Sequence, residues 1–354
     1  MRTITRLGAA MLGATLLTTV VVGSALAQDV EELRISGSST VRPITDYVAE
    51  AFYAQNPNVT ISVDGPGTTT GFELFCNGDT DISDASRSIR DSEMETCTAN
   101  GIVPVELKVG IDGLAVIVST QNAIIECLDF RDLYAIFGIE SDKLNTWEDI
   151  AAFAAELGST TSSWPSGDIA ITAPGDESGT WGSFIELTLE DIQDARAEAG
   201  SEIAAESDAE GETVHRTRLP GDYYVASGDD NAIIEGVGDN PNAVGFVGYA
   251  YAINNADRVR MVPIDGGDGT CIAPDPETVV SNTYPISRDL FIYPDQGRVD
   301  PASERFNALV QPFVDYYLSD EGIANVAAAG YVPLETEALG ETRAAWTAAT
   351  GAGA

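Results

Sequence analysis

The sequence predicts an α/β protein with length enough for two domains. Strand-like and helix-like runs alternate along the chain, the pattern of helices layered on mainly parallel sheets. Removing an N-terminal leader of 27 residues from the 354 leaves 327, enough for two domains of ordinary size. Two extended apolar runs, one from Leu114 to Val118 behind Asp112 and Gly113 and one from Tyr284 to Tyr293 with Pro285 inside it, lie far apart in the chain. The first reads as a buried strand and the second as an extended run.

The leader comes first. Arg2 and Arg6 precede an uncharged apolar stretch, Leu7 to Leu26, that ends in Ala25, Leu26 and Ala27. A basic region, an apolar region and an A-x-A triplet in that order make a secretory signal peptide over residues 1–27, cleaved after Ala27. With no cysteine at that point and no later segment apolar enough to span a bilayer, the mature chain is expected to be periplasmic and not inserted in the membrane. Loss of the two arginines takes the formal charge from −38 to −40, a surface that repels nucleic acid and anionic lipid. The same field repels small anions at long range, but salt screens it within about 8 Å. Cys76, Cys97, Cys127 and Cys271 form an even set in an exported chain, which points to two disulfides. Three pairings are open, and Cys76 with Cys97 and Cys127 with Cys271 is the favoured one.

The first unit reads as a strand, Leu33 to Ser36, then the turn Gly37-Ser-Ser-Thr40, then a helix from about Pro43 to Gln55. Ile44, Tyr47, Val48, Ala51 and Phe52 recur along that helix at the period of a buried face, and Asn56 and Pro57 end it. The strand Val59 to Val63 follows, and the loop Gly65 to Gly71 opens a helix with Phe72 and Phe75. A third unit runs from Ile169 to Thr172 through Pro174 to Gly179 into a helix carrying Trp181, Phe184, Ile185 and Thr188. Residues 191–222 are read as an exposed excursion, and a last long helix is expected from about Ala302 to Leu318.

Three strand-to-helix turns thus share glycines, serines and threonines. A helix start offers unpaired N–H groups and the positive end of its dipole. Hydroxyls add donors without bulk, and glycine lets the backbone approach a ligand closely. Any one such turn is ordinary capping; three at the carboxyl ends of strands mark the place where open sheets bind ligands. The chemistry they offer suits a small oxyanion.

The residues carrying this chemistry resemble a known family. Gly37-Ser-Ser-Thr-Val41, Gly65-Pro-Gly-Thr-Thr-Thr-Gly-Phe72, Asp81-Ile-Ser-Asp-Ala-Ser-Arg87, Asp176-Glu-Ser-Gly-Thr180, Asn242-Ala-Val-Gly-Phe-Val-Gly-Tyr249 and Tyr284-Pro-Ile-Ser-Arg288 stand in the order seen in PstS-type phosphate-binding proteins. The resemblance implies a type II periplasmic binding protein fold, with two lobes, a ligand cleft and crossing hinge strands. It implies phosphate held by Ser39, Thr40, Val41, Thr69, Ser86, Ser178, Gly179 and Thr180. Ser86 stands where many relatives carry an aspartate, and Pro174 where they carry an arginine. Arg87 is the expected replacement for that arginine, with Arg42 second, and Asp84 or Glu177 could supply the acceptor.

On this reading residues 28–112 and 286–354 form lobe one, the latter with the C-terminal helix and tail, and residues 113–285 form lobe two. The expected partners are inorganic phosphate and the permease subunits of an ABC importer, with the receptor a monomer, not an enzyme, and without metal or cofactor. Rivals are a receptor for sulfate, a secreted phosphatase and an adhesion module. The single histidine, His215, is read as a surface residue, and Asp265 to Gly269 as a hairpin turn.

Overall fold

A computed structural model describes residues 32–176, 178–207 and 213–351. The expected signal peptide and Glu177 lie outside the described residues. The fold is mixed α/β and two-lobed around a curled sheet. Its strands are β1 (Glu32–Gly37), β2 (Thr60–Asp64), β3 (Ile82–Ala85), β4 (Leu107–Ser119), β5 (Leu128–Asp129), β6 (Ala170–Ala173) and β7 (Tyr224–Ala226). They continue with β8 (Ala243–Gly248), β9 (Val259–Met261), β10 (Ile264–Asp265), β11 (Cys271–Ile272), β12 (Ser287–Pro294) and β13 (Val332–Pro333).

Ten of these strands form one sheet in the order β2-β1-β3-β12-β4-β8-β6-β7, with β9 and β13 also on β4. β5, β10 and β11 make a small separate sheet. The large sheet is mixed rather than mainly parallel. Its outer parts are parallel, β1 with β2 and β3 on one side and β6 with β7 and β8 on the other. The centre is antiparallel because β12 returns against both β3 and β4.

The long strand β4 changes neighbours along its length. Its first half pairs with β12 and β13, and from Leu114 onward it pairs with β8, Leu114 opposite Gly248. Arg288 on β12 sits opposite Asp112 at that change. The continuous apolar run of β4 suits a strand covered on both faces, and Leu114 to Val118 are at most 1 % exposed.

The helix Arg42–Gln55 buries Ile44, Thr45, Val48 and Phe52, but Tyr47 projects outward at 46 % exposure. The expected helix from Ala302 is shorter, Val310–Tyr317. Ahead of it Asp300, Ser303 and Asn307 turn their side chains onto the backbone N–H groups of Ala302, Arg305 and Leu309. Such local acceptors compete with helical hydrogen bonds. The Cys76–Cys97 and Cys127–Cys271 disulfides are both formed. Asp265 to Gly269 closes the β10–β11 hairpin, with the Asp265 Oδ1 accepting from the N–H groups of Gly267 and Gly269 at 2.8 and 3.0 Å.

Candidate functional site

The first turn leaves the carboxyl end of β1. Its glycine is required by packing: a Cβ on Gly37 would overlap the Asp84 carbonyl oxygen, and one on Gly71, in the second helix, would overlap the Gly37 Cα. Two helix starts are thereby pressed against one strand end. Within the turn the Ser38 hydroxyl accepts from the N–H groups of Thr40 and Val41 at 3.2 and 3.3 Å. Those two amides, expected to face a ligand, are satisfied internally here. Ser39 is exposed, whereas Thr40 is buried.

The second turn starts the helix Thr68–Cys76 at the end of β2. Thr68, which the sequence reasoning passed over, ties this turn to the end of β3. Its hydroxyl receives the Ser86 N–H at 3.2 Å and lies 3.1 Å from the Ser86 hydroxyl. Thr69 is exposed and accepts from Arg87 Nη2 at 3.1 Å. The Arg87 fork is already engaged by Glu93, at 2.9 and 2.7 Å. Burial opposes ionisation of Glu93, but its hydrogen bonds from Arg87 and Arg90 and their charges draw its pKa below the ordinary value.

The third turn follows β6. The Ser178 hydroxyl accepts from the Thr180 N–H at 3.2 Å, capping the short helix Gly179–Phe184. That helix continues into a wide turn, Ile185–Leu189, and then the helix Glu190–Glu198. A Cβ on Gly179 would come within 3.3 Å of the Tyr331 hydroxyl and 3.7 Å of Pro43, so this turn abuts the start of the first helix.

The turns line two cavities that meet at Ser39. A cavity of about 700 Å³ is lined by Ser39, Arg42, Pro43, Asp176, Ser178 and Gly179 among others. A second, of about 420 Å³, is lined by Ser38, Ser39, Thr68, Thr69, Ser86 and Arg87, faced by Glu186, Glu190 and Asp191. Of the residues expected in the site, Ser178 and Gly179 line the first cavity, Thr69, Ser86 and Arg87 the second, and Ser39 both. Thr40 lies behind them, Val41 is fully buried in the core, and Thr180 is half-buried.

Behind the cleft sits Arg288. Its Nη2 donates to the Thr40 hydroxyl at 3.0 Å and lies 3.4 Å from the Ser183 hydroxyl, which is itself 3.1 Å from the Thr40 hydroxyl. Its Nε faces Asp112 at 3.4 Å and its Nη1 faces Glu186 at 2.8 Å. One guanidinium thus joins the first turn, the third helix and the β4 crossing. The motif Tyr284 to Arg288 stood in view in the sequence, but nothing in the local pattern says that its arginine reaches Thr40, 248 residues away. Burial raises the pKa of Asp112, with Arg288 and Ser183 opposing.

Asp84 does not reach the cleft. It is fully buried, beside Thr45, and burial pushes its pKa up to about 7, against the Thr45 hydroxyl and with Asp46 adding to the rise. Arg42 pairs with Asp46 at 3.4 Å on the surface. Among the described residues one trio, Glu190, Asp194 and His215, brings possible metal-ligand atoms within 4.8 Å of one another. The 2.8 Å contact between His215 Nε2 and Asp194 Oδ1 accounts for it as a surface pair.

The chain is similar to known proteins over most of its length. A family model described as a PBP superfamily domain matches residues 22–321. Protein SphX of Synechococcus elongatus is 32 % identical over 304 residues, 85 % of this chain and 77 % of that protein. The phosphate-binding protein PstS of Staphylococcus aureus is 30 % identical over 301 residues, 85 % of this chain and 78 % of its own. The crystal structure of a possible phosphate binding protein from Planctomyces limnophilus superposes with a TM-score of 0.74 at 29 % identity, covering 90 % of this chain and 99 % of that one. PstS from Borrelia burgdorferi shares the fold, with a TM-score of 0.54 at 22 % identity over 86 % of this chain and all of its own. The chain belongs to the PBP superfamily of substrate-binding receptors, among the PstS-type phosphate-binding proteins.

Proposed function

We propose that this protein captures inorganic phosphate in the cleft between its lobes and delivers it, outside the cytoplasmic membrane, to the permease subunits of an ABC importer. The observation that supports the reading is that the hydroxyl-bearing turns line two adjoining cavities, with Ser39 of the first turn in both. Helix starts and hydroxyls there are dense in donors and low in bulk, the requirement for a small tetrahedral oxyanion.

In this proposal Ser39, Thr69, Ser86, Ser178 and Gly179 contact the ligand directly, with Thr180 at the rim. Thr40 and Val41 contribute only if their amides exchange the Ser38 hydroxyl for the ligand. Arg87 takes part through Nη2, the nitrogen that also holds Thr69. Lobe one comprises residues 28–112 and 286–354 and lobe two residues 113–285, a division supported by the change of β4 neighbours at Leu114. Bending there and along β12 would close the cleft. Both disulfides fall inside single lobes on this division, so neither blocks closure. The receptor works as a monomer released by cleavage after Ala27 and acts by binding rather than catalysis. Among the described residues no helix is long and apolar enough to cross a membrane.

Calorimetric titration of the ligand-stripped protein with phosphate, arsenate and sulfate tests the reading. Phosphate and arsenate should bind and sulfate should bind far more weakly. Equal or tighter binding of sulfate would replace the proposal with the sulfate receptor, which the hydroxyl at Ser86 makes its closest rival.

A further inference from the structure

Phosphate and arsenate carry a proton near neutral pH, and sulfate does not. A cleft that selects the protonated anions must offer an acceptor for that proton, whereas hydroxyls, amides and guanidinium groups can satisfy the anion's oxygens without telling the two apart. On the lobe-one side the cavity presents Ser38, Ser39, Thr68, Thr69, Ser86 and Arg87, which are donors or hydroxyls. The carboxylates that line it are Glu186, Glu190 and Asp191, all from the segment after the third turn, whereas Asp46, Glu50 and Asp176 line the other cavity, away from Thr69, Ser86 and Arg87. Asp84 is buried elsewhere.

We infer that Glu186 accepts the ligand's proton, so that selection of phosphate over sulfate is made by lobe two. The inference rests on the phosphate reading of the cleft. Glu186 belongs to the wide turn Ile185–Leu189, lines the cavity and is half exposed. Its Oε2 is 2.8 Å from Arg288 Nη1, while its Oε1 has no hydrogen-bond partner among the described residues. Arg288 also reaches the Thr40 hydroxyl of the first turn. The pair therefore places a fixed carboxylate oxygen next to the donor-rich wall, with a cation at its back offsetting part of its repulsion toward an anion. A carboxylate so placed gains a hydrogen bond from a protonated oxyanion and meets only repulsion from an unprotonated one.

Glu190 suits the role less well. Its Oε1 lies 4.0 Å from His215 Nδ1, in the surface cluster that Asp194 and His215 form, rather than on the Arg288 side of the cavity. Asp191 is exposed at the rim and has no cation holding it in place among the described residues.

The test is the ratio of phosphate to sulfate affinity, measured by calorimetry in the full mature chain. Glu186→Gln should weaken phosphate by about tenfold or more, the effect of losing a hydrogen bond to a charged group. It should leave sulfate unchanged or tighter, so the ratio falls by at least that factor. Glu186→Asp, which keeps a carboxylate, should retain more of the ratio than the glutamine variant. An unchanged ratio in Glu186→Gln overturns the inference, as does a collapse of the ratio in Glu190→Gln or Asp191→Asn instead. Those results leave the phosphate reading intact, because it fails separately, when the unaltered protein takes no phosphate.

Discussion

The two walls of the cleft are built differently. The lobe-one wall rests on three strand ends, β1, β2 and β3, whose turns are locked to one another: Gly37 against Asp84, Gly71 against Gly37, and Thr68 against Ser86. The lobe-two wall is one short helix, a wide turn and a longer helix, carrying hydroxyls at Ser178 and Thr180 but carboxylates at Glu186, Glu190 and Asp191. The first wall is rigid because close backbone contacts leave it no other arrangement. The second is anchored in the core by Ser183, Phe184 and Leu189 but presents carboxylates to the cavity. On the reading proposed above, the first wall supplies donors and the second the acceptor.

The largest expected contrast between the walls lies in their disulfides. Cys76–Cys97 closes a loop of 21 residues and Cys127–Cys271 one of 144. In the chain-entropy picture their removal costs about 3 and about 5 kcal/mol respectively. Thermal unfolding of the two double-serine variants should therefore show the greater loss for Cys127 and Cys271. The reverse order would indicate that the lobe-one staple, beneath the second turn, carries native-state packing that loop length does not count.

Asp84 tests how dry the core behind the donor wall is. Its pKa is raised from 3.8 to about 7, so between those values the folded protein keeps a proton that the unfolded chain releases. The stability this group contributes is present below pH 4 and is lost as pH rises toward 7, to a limit on the order of 4 kcal/mol. Asp84→Asn should thus gain stability relative to the unaltered protein between pH 4 and 7.5, read by thermal melts across that range. A flat difference would mean that the carboxyl is solvated or paired.

Hydroxyl deletions on the two walls should cost less, about 1 kcal/mol each in phosphate affinity. Thr180→Val should weaken binding and leave the melting temperature nearly unaltered. Thr40→Val should lower both, because its hydroxyl meets Arg288 and Ser183. The smallest effect is expected for Arg42→Ala, whose exposed pair with Asp46 is worth under about 0.5 kcal/mol of stability. Calorimetry and melts on the same three variants separate the cases.

Local pattern determined much of this molecule. The alternation of strands and helices, the buried run at Leu114, the hairpin at Asp265 and the Gly-Ser-Thr turns follow from side-chain period and backbone chemistry, which act within a few residues. So the helix starts were legible, with the glycines and hydroxyls that their turns carry. The start of the Val310–Tyr317 helix was not, because Asp300, Ser303 and Asn307 compete for the backbone in ways that apolar periodicity does not register.

What tertiary structure alone decided is which distant groups share the site. Arg288 was visible in its motif, yet only the antiparallel return of β12 beside β4 carries it to Asp112, Thr40, Ser183 and Glu186. Asp84 lies inside β3, where both faces are covered, and is buried beside Thr45, whereas Ser86, just past the strand's end, reaches the cavity. A strand places successive side chains on opposite faces, and strand pairing sets which face meets the cleft. The sequence could name the chemistry of each turn, but the sheet determined which turns look at one another.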